Sequence, residues 1–219
     1  VGAYDDQRPW ESCMTTSRKG QCAWGGAADG VKSLDTCLGM LIRCAGGDGN
    51  VLLNVGPMPT GEIAPEQAQL LREIGAWLDK YGESIYGTRG GPFLPGEYGV
   101  STRKGTTIYL HICDWSEDVI RLPAITPQVV RSRVLGGGTS VVRQTTEGLT
   151  VSVPATDRQP IDTIVALELN GPALQLPTCK VDGPVALSAN ARATASNVYQ
   201  QSAEYGPDRA VDGNSETRW

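Results

Sequence analysis

Apolar and polar positions follow two different periods along the chain, and the change falls near residue 90. Before it, short apolar runs at residues 10–15 and 51–55 are typical of buried parallel strands. Residues 33–45 and 65–81 repeat apolar side chains at intervals of three and four, which predicts helices that bury one face. Strand, helix, strand, helix is the alternation of a βα barrel.

Glycine and proline are concentrated at residues 87–96 and predict a boundary. Six short segments rich in β-branched residues follow, at residues 106–112, 119–122, 128–135, 140–143, 149–153 and 163–169. Segments of this kind, separated by turn residues, predict an antiparallel β-sandwich. Because prolines interrupt the pattern again at 171–184, we expect an α/β part at 1–90, an all-β part at 91–175 and a third module at 176–219.

Length and charge exclude some classes of protein. The chain has 219 residues, is 40% hydrophobic and carries a formal charge of −5, so no basic stripe predicts a nucleic-acid partner. No run approaches the roughly 18 apolar residues that cross a bilayer. The first residues, VGAYDD, contain neither an initiator Met nor a signal segment, and the last, DGNSETRW, stop within what reads as a folded motif. This pattern predicts a piece of a longer polypeptide.

The six cysteines show no CxxC spacing, and the chain has one histidine, so no structural zinc site is expected. Cys37 and Cys44 lie seven residues apart on a predicted helix, about 10 Å along its axis, which is too far for a disulfide. Cys13 could pair with Cys22 or Cys37 in an exported protein, and the sequence leaves that connectivity open.

Several spaced motifs occur in one order along the first part of the chain. They are WESCMT at 10–15, WGG at 24–26, the glycine-bounded strand at 47–57 and IGAWL at 74–78. Over about residues 8–90 this segment resembles the last quarter of the catalytic barrel of the α-L-fucosidases of glycoside hydrolase family 29.

The resemblance implies the C-terminal end of a (β/α)8 barrel, followed directly by an antiparallel β-sandwich. It also implies a retaining, exo-acting enzyme that removes terminal α-L-fucose from oligosaccharides or glycans. No organic cofactor is implied, and the parent protein would be secreted or periplasmic. The alternative is a non-catalytic carbohydrate-binding protein with a vestigial barrel.

The last residues carry a second resemblance. The sequence AVDGNSETRW at 210–219 resembles the opening of a discoidin-like, coagulation-factor type C module, of which about the first third would be present. Modules of this type often hold a structural calcium ion, and Asp212, Asn214 and Thr217 are the oxygen-bearing candidates for it. The alternative is an Asp-Gly-Asn turn closed by side-chain-to-backbone hydrogen bonds.

Retaining hydrolysis needs two carboxyl groups about 5–5.5 Å apart. The resemblance implies that the nucleophile is an aspartate on an earlier barrel strand, upstream of this chain, so the chain alone should be inactive. Glu11 is the candidate general acid, because a carboxyl held beside the indole of Trp10 loses water and keeps its proton more readily. Two alternatives remain: the acid lies upstream and Glu11 orients its neighbours, or Glu11 forms a strand-end salt bridge.

Three further residues are candidates for substrate binding. Trp24 could cover the apolar face of fucose, although Gly26 stands where the family's Trp-Gly-Tyr motif has tyrosine, and the alternative is core packing. Trp10 lies beside Glu11, and Asn54 lies at the carboxyl end of a strand, where barrel enzymes build their sites. Asn54 would either contact substrate or bind loop backbone. His111 is expected to be a surface or satisfied polar residue.

Overall fold

The computed structural model describes residues 4–181, 194–195, 198, 202 and 205–210. Contacts divide the chain into two compact units, residues 1–181 and residues 182–219. In the second unit the described residues include one short 3₁₀ helix, Pro207–Ala210. Asp212, Asn214 and Thr217 lie outside the described residues, so the discoidin-like module and its calcium site stay predictions.

The first part of unit one has the predicted order of strands and helices. Strand β1 is Glu11–Thr15, helix α1 is Leu34–Gly46, strand β2 is Asn50–Asn54 and helix α2 is Pro65–Tyr81. β1 and β2 pair in parallel, and α1 connects them, so they form a βαβ unit. The described residues contain these two strands of the expected barrel.

The start of α1 differs in one detail from the expectation. Ser33 is the N-cap residue with extended backbone, but its side chain makes no capping hydrogen bond to the helix. Its hydroxyl lies 2.8 Å from that of Thr36 instead, because the two short polar side chains are neighbours on the first turn. The predicted glycine stop is present, since the N–H of Gly47 donates to the carbonyl of Arg43 at 2.9 Å.

The rest of unit one is built from eight strands. They are β3 Arg89–Gly90, β4 Gly99–Lys104, β5 Thr107–Ile112, β6 Ile120–Pro123, β7 Val129–Val134, β8 Val141–Gln144, β9 Gly148–Ser152 and β10 Thr163–Leu169. One sheet has the order β3-β4-β5-β10-β7, the other has the order β6-β9-β8, and every pairing within them is antiparallel. Apolar side chains of both sheets share one buried core, including Ile108, Leu110, Leu122, Leu149, Val151, Val165 and Leu167. The antiparallel sheets expected from the sequence are present.

Strand β4 was not expected from its sequence. Its central residues Ser101 and Thr102 are polar, yet both are completely buried because the strand lies between β3 and β5 in the sheet and α1 packs against it. The hydroxyl of Thr102 donates to the carbonyl of Ser84 at 2.6 Å, which satisfies one of these buried groups. The local signal for this strand is Gly105, which has φ 58° in the turn between β4 and β5.

The two helices pack against the five-stranded sheet. Leu38 and Ile42 of α1 and Leu70 and Ile74 of α2 share a buried cluster with Val100 of β4. The approach is close: a Cβ on Gly46 would lie 2.3 Å from the Cβ of Val100. This packing holds α2 against the sheet and so determines where its first turn meets the ends of β1 and β2. Neither α1 nor α2 is long and apolar enough to cross a membrane, and the same holds for every helix in the described residues.

Candidate functional site

The direction of β1 and β2 determines which end of the strands can hold a site. Their parallel register pairs Glu11 with Asn50 at one end and Thr15 with Asn54 at the other. Leu53 packs towards the helices, so the alternation of side chains puts Leu52 on the opposite face, where it is 45% exposed. Barrel enzymes build their sites at the carboxyl ends of such strands, which here are Thr15 and Asn54.

Polar groups from three elements converge at that end. The N–H of Thr16 donates to the carbonyl of Asn54 at 3.0 Å, which continues the β1–β2 pairing beyond the strands. The hydroxyl of Thr16 donates to Oε1 of Gln67 on α2 at 3.1 Å, and the N–H of Gly56 donates to the same oxygen at 3.2 Å. Thr16 and Gln67 are both buried, so these hydrogen bonds are sheltered from water.

Residues 18–30 form a loop that is closed at its base. Ser17 and Val31 form an antiparallel bridge, and the N–H of Arg18 donates to the carbonyl of Gly30 at 3.2 Å. The ammonium of Lys32 donates to the carbonyl of Thr15 at 2.7 Å and also to that of Ser17. A positive charge therefore lies at the carboxyl end of β1, held by backbone oxygens.

Asp29 braces the loop from inside. Its carboxylate accepts a hydrogen bond from the N–H of Lys19 at 3.0 Å, and its side chain is 7% exposed. A hydrogen bond from the Ser17 hydroxyl, together with that from Lys19, holds the pKa of Asp29 below its ordinary value. Asp29 is thus ionised at neutral pH and serves as an acceptor for the loop.

The tip of the loop is docked onto the end of β2. The side-chain amide of Asn54 donates to the carbonyl of Cys22 at 2.6 Å. Gly56 lies so close that a Cβ there would stand 2.4 Å from both the carbonyl carbon of Ala23 and the nitrogen of Trp24. Trp24 is half-buried, and its backbone nitrogen lies beside Gly56, just beyond the carboxyl end of β2.

Glu11 and Trp10 lie at the opposite end of β1. Thr15 lies four positions after Glu11, which is about 13 Å along a strand. The carboxylate of Glu11 accepts a hydrogen bond from the side-chain amide of Asn50 at 2.8 Å, and Glu11 is exposed to water. The desolvation beside the indole that the sequence suggested is therefore not present, and the contact fits the alternative in which Glu11 orients a neighbour.

The indole of Trp10 is occupied by local contacts. Its Nε1–H donates to the carbonyl of Asp5 at 3.1 Å. Gly49 packs against the ring so closely that a Cβ would lie 2.2 Å from it. Of the four sequence-predicted catalytic and substrate-binding residues, the structure therefore brings Trp24 and Asn54 together and leaves Glu11 and Trp10 elsewhere. Their roles stay predictions.

His111 is buried in the sandwich and paired. Its Nδ1 lies 2.6 Å from Oδ2 of Asp162, and both side chains are 0% exposed. This is the satisfied polar residue that was one of the two expectations. Among the residues that the structure describes, no group of three or more His, Cys, Asp or Glu is arranged to hold a metal ion, and all six cysteines are unpaired.

Sequence reasoning missed Thr16, Gln67, Lys32 and Asp29 at the carboxyl end. The run Thr15-Thr16-Ser17 directly after an apolar strand was a usable signal, because polar residues at that position face a barrel's site. Gln67 carried a weaker one: it is a polar residue on the buried face of α2, whose other buried members include Leu70 and Ile74.

Comparison with known proteins identifies the family to which this part of the chain is similar. Residues 2–83 match the family model described as alpha-L-fucosidase. The α-L-fucosidase of Branchiostoma floridae is 32% identical over 115 residues, which is 48% of this chain and 24% of that protein. The tissue α-L-fucosidase of Homo sapiens is 28% identical over 156 residues, 66% of this chain and 33% of that protein. The chain thus spans about a quarter to a third of these relatives' length.

Solved structures extend the similarity to the fold. Isoenzyme 1 of the α-L-fucosidase from Paenibacillus thiaminolyticus superposes with a TM-score of 0.66 at 30% identity, covering 74% of this chain and 40% of that one. The α-L-fucosidase of Vibrio sp. strain EJY3, at 23% identity, shares the fold with a TM-score of 0.67 over 80% of this chain and 32% of that one. Residues 2–83, with β1, α1, β2 and α2, therefore carry a match to the α-L-fucosidase family.

Proposed function

We propose that this chain supplies part of the active site of a retaining exo-α-L-fucosidase that hydrolyses terminal α-L-fucose from oligosaccharides or glycans. The family match supports the reaction class. The observation that carries the proposal is the docking of the segment around Trp24 onto Asn54 and Gly56, because it brings the backbone of a half-buried tryptophan to the carboxyl ends of two parallel strands.

In this proposal Trp24 is the platform for the sugar. Fucose has an apolar face and a methyl group, and a rigid indole can cover such a face at little cost in conformational entropy. Asn54 acts through the loop, since its amide donor is already bonded to the carbonyl of Cys22. The missing aromatic at Gly26 leaves Trp24 as the aromatic of this motif.

The nucleophilic aspartate would come from a part of the parent enzyme outside this chain. Glu11 as the general acid is a prediction with two observations against it: it lies at the amino end of β1, and its carboxylate already binds Asn50 in an exposed position. We favour a positioning role for Glu11 and an acid supplied by another segment. The parent would be secreted or periplasmic and would need no organic cofactor, and calcium at Asp212, Asn214 and Thr217 remains part of the proposal.

The test is hydrolysis of 4-nitrophenyl α-L-fucoside by the full-length parent. Trp24→Ala should lower kcat/KM by roughly 10- to 100-fold, the factor for losing about 1.5–3 kcal/mol of apolar contact. Tyr86→Ala is the matched control, because Tyr86 is an aromatic that is 60% exposed and lies near the amino end of β2. An equal loss in both variants would contradict the platform role.

The same assay separates the roles of Glu11. A loss of several orders of magnitude in Glu11→Gln, rescued by a fucoside with a better leaving group, would identify Glu11 as the acid. A mild loss would support the positioning role that we favour. If the parent binds fucosides but hydrolyses none, the non-catalytic carbohydrate-binding protein replaces the enzyme.

A further inference from the structure

Gln67 is a buried amide at the start of α2, and its Oε1 accepts hydrogen bonds from Thr16 and Gly56. We propose that Gln67 is a positioning residue that holds the Trp24 platform in place through Gly56. The effect of Gln67 on catalysis rests on the proposed function. Its effect on the position of Trp24 does not, and can be tested on this chain alone.

The first step is the convergence of two donors on one atom. Oε1 of Gln67 accepts from the hydroxyl of Thr16 at 3.1 Å and from the N–H of Gly56 at 3.2 Å. Thr16 follows β1 and Gly56 follows β2, so a single oxygen on α2 connects the segments that leave both strands. The hydroxyl of Thr16 also lies 3.3 Å from the carbonyl of Asn54, so removing the Gln67 oxygen would chiefly leave the buried N–H of Gly56 without its acceptor, and a buried donor is costly to leave unpaired.

The second step runs from Gly56 to the indole. Gly56 is in direct contact with the peptide that joins Ala23 and Trp24. A Cβ added to Gly56 would lie only 2.4 Å from the carbonyl carbon of Ala23 and from the nitrogen of Trp24. Because the contact is backbone against backbone, any shift of Gly56 moves or releases the peptide that carries the indole. Asn54 also restrains this segment, through its hydrogen bond to the carbonyl of Cys22.

The third step explains why a glutamine stands at this position. α2 buries Leu70 and Ile74 in the apolar cluster against β4, which holds the helix axis in place. Gln67 lies one turn before Leu70 and is 7% exposed. An apolar side chain would fill this buried space equally well, but it could accept no hydrogen bond. Packing against the sandwich therefore fixes the position of α2, and the amide oxygen of Gln67 in turn fixes the position of Gly56 beside the loop.

The experiment uses the 219-residue chain labelled with 5-fluorotryptophan. The ¹⁹F resonance that disappears in Trp24→Phe is assigned to Trp24. The resonance of Trp77, which lies on α2 with Gln67, reports on folding. In Gln67→Met we expect the Trp24 resonance to shift or broaden while that of Trp77 stays in place. Gln67→Glu keeps an acceptor oxygen and should restore the Trp24 resonance towards its wild-type position, and Gln69→Met, at an exposed glutamine of the same helix, should leave both unchanged.

A second readout follows the hydrogen bond itself. In Gln67→Met the peptide that contains Gly56 should exchange its amide hydrogens about fivefold faster, the factor expected for one net hydrogen bond. If Gln67→Met does not fold, Gln67→Leu, which also removes the acceptor of the Gly56 N–H, is compared instead. A Trp24 resonance and a Gly56 exchange rate that are unchanged in the folded variant would overturn the proposal.

The catalytic consequence is measured separately in the parent enzyme. A displaced platform weakens the binding of the substrate and of the transition state alike. Gln67→Met should therefore raise KM for 4-nitrophenyl α-L-fucoside and leave kcat nearly unchanged. If the Trp24 resonance moves but the parent hydrolyses no fucoside, the positioning role stands and the proposed function fails. If the parent is active and Trp24 does not respond to Gln67, the positioning role fails alone.

Discussion

Substitution of Asp48 should show how firmly the βαβ part is joined to the sandwich. Asp48 lies between α1 and β2 with φ 67°, a left-handed conformation that side chains rarely adopt. Its Oδ1 accepts from Nε of Arg89 at 2.8 Å and from the N–H of Gly90 at 2.7 Å, and its Oδ2 binds Nη2 of Arg89. Arg89 and Gly90 form β3, so this carboxylate connects the turn to the edge of the sandwich.

Three variants separate the contributions of the carboxylate and the backbone. Asp48→Asn keeps one acceptor oxygen and tolerates the left-handed region, so it should cost about 1 kcal/mol. Asp48→Gly loses the acceptor of a charge-assisted hydrogen bond, worth about 1.5–3 kcal/mol. The exposed guanidinium of Arg89, whose side chain is 62% accessible, adds at most about 1 kcal/mol.

Asp48→Ala isolates the backbone conformation. It loses the same acceptor as Asp48→Gly and adds about 1–2 kcal/mol for a left-handed non-glycine residue. A stiffer unfolded chain offsets about 0.4–1 kcal/mol of that cost. The alanine variant should therefore be less stable than the glycine variant by about 0.5–1 kcal/mol.

Urea unfolding at pH 7, followed by far-UV circular dichroism and tryptophan fluorescence, measures these differences. Asp79→Asn, at an exposed aspartate on α2, is the control and should change little. Burial raises the pKa of Asp48, but hydrogen bonds from Arg89 and Gly90 outweigh it and hold the pKa below its ordinary value of 3.8. Because the pKa is depressed in the folded state, this stabilisation is complete above that value and is lost as the pH falls through the folded pKa.

Asp48→Asn should remove that part of the pH dependence. An alanine variant as stable as the glycine variant would refute the backbone argument. Three variants within about 0.5 kcal/mol of the wild type would refute the connection to the sandwich, since that is the range of ordinary surface substitutions.

Two further predictions concern buried carboxylates. The pKa of Asp29 is lowered by hydrogen bonds from Ser17 and Lys19, so the amides of the 18–30 loop should exchange faster as the pH falls below about 4. Asp29→Asn should show the same fast exchange at neutral pH. Protection that acid leaves unchanged would contradict this role of Asp29. Asp162→Leu should destabilise the chain by about 1–3 kcal/mol because it leaves Nδ1 of His111 buried without its partner. The double variant with His111→Leu should recover part of that loss in a double-mutant cycle, and simple additivity would argue against coupling.

Local patterns were sufficient for the regular elements. The helical period placed α1 and α2 to within a residue or two, and the β-branched segments predicted most of the sandwich. β4 escaped detection because its buried residues Ser101 and Thr102 have the composition of an exposed strand. Only their position between β3 and β5, with partners such as the carbonyl of Ser84, makes their burial favourable.

The candidate site was less accessible to sequence reasoning. The strand ending at Asn54 and the loop carrying Trp24 were visible as motifs, but adjacency to Trp10 suggested a desolvated carboxyl at Glu11. Strand direction and exposure, which appear only after pairing, place Glu11 at the amino end in contact with Asn50.

The sequence by itself determined the order of strands and helices, the change from α/β to all-β and the family resemblance, because periodicity and motif spacing are properties of neighbouring residues. Only the tertiary structure decided which groups meet. The hydrogen bonds of Gln67 to Thr16, of Asp48 to Arg89 and of His111 to Asp162 join residues 51, 41 and 51 positions apart. Such contacts leave no local pattern, because they join residues that only the packing of the elements brings together.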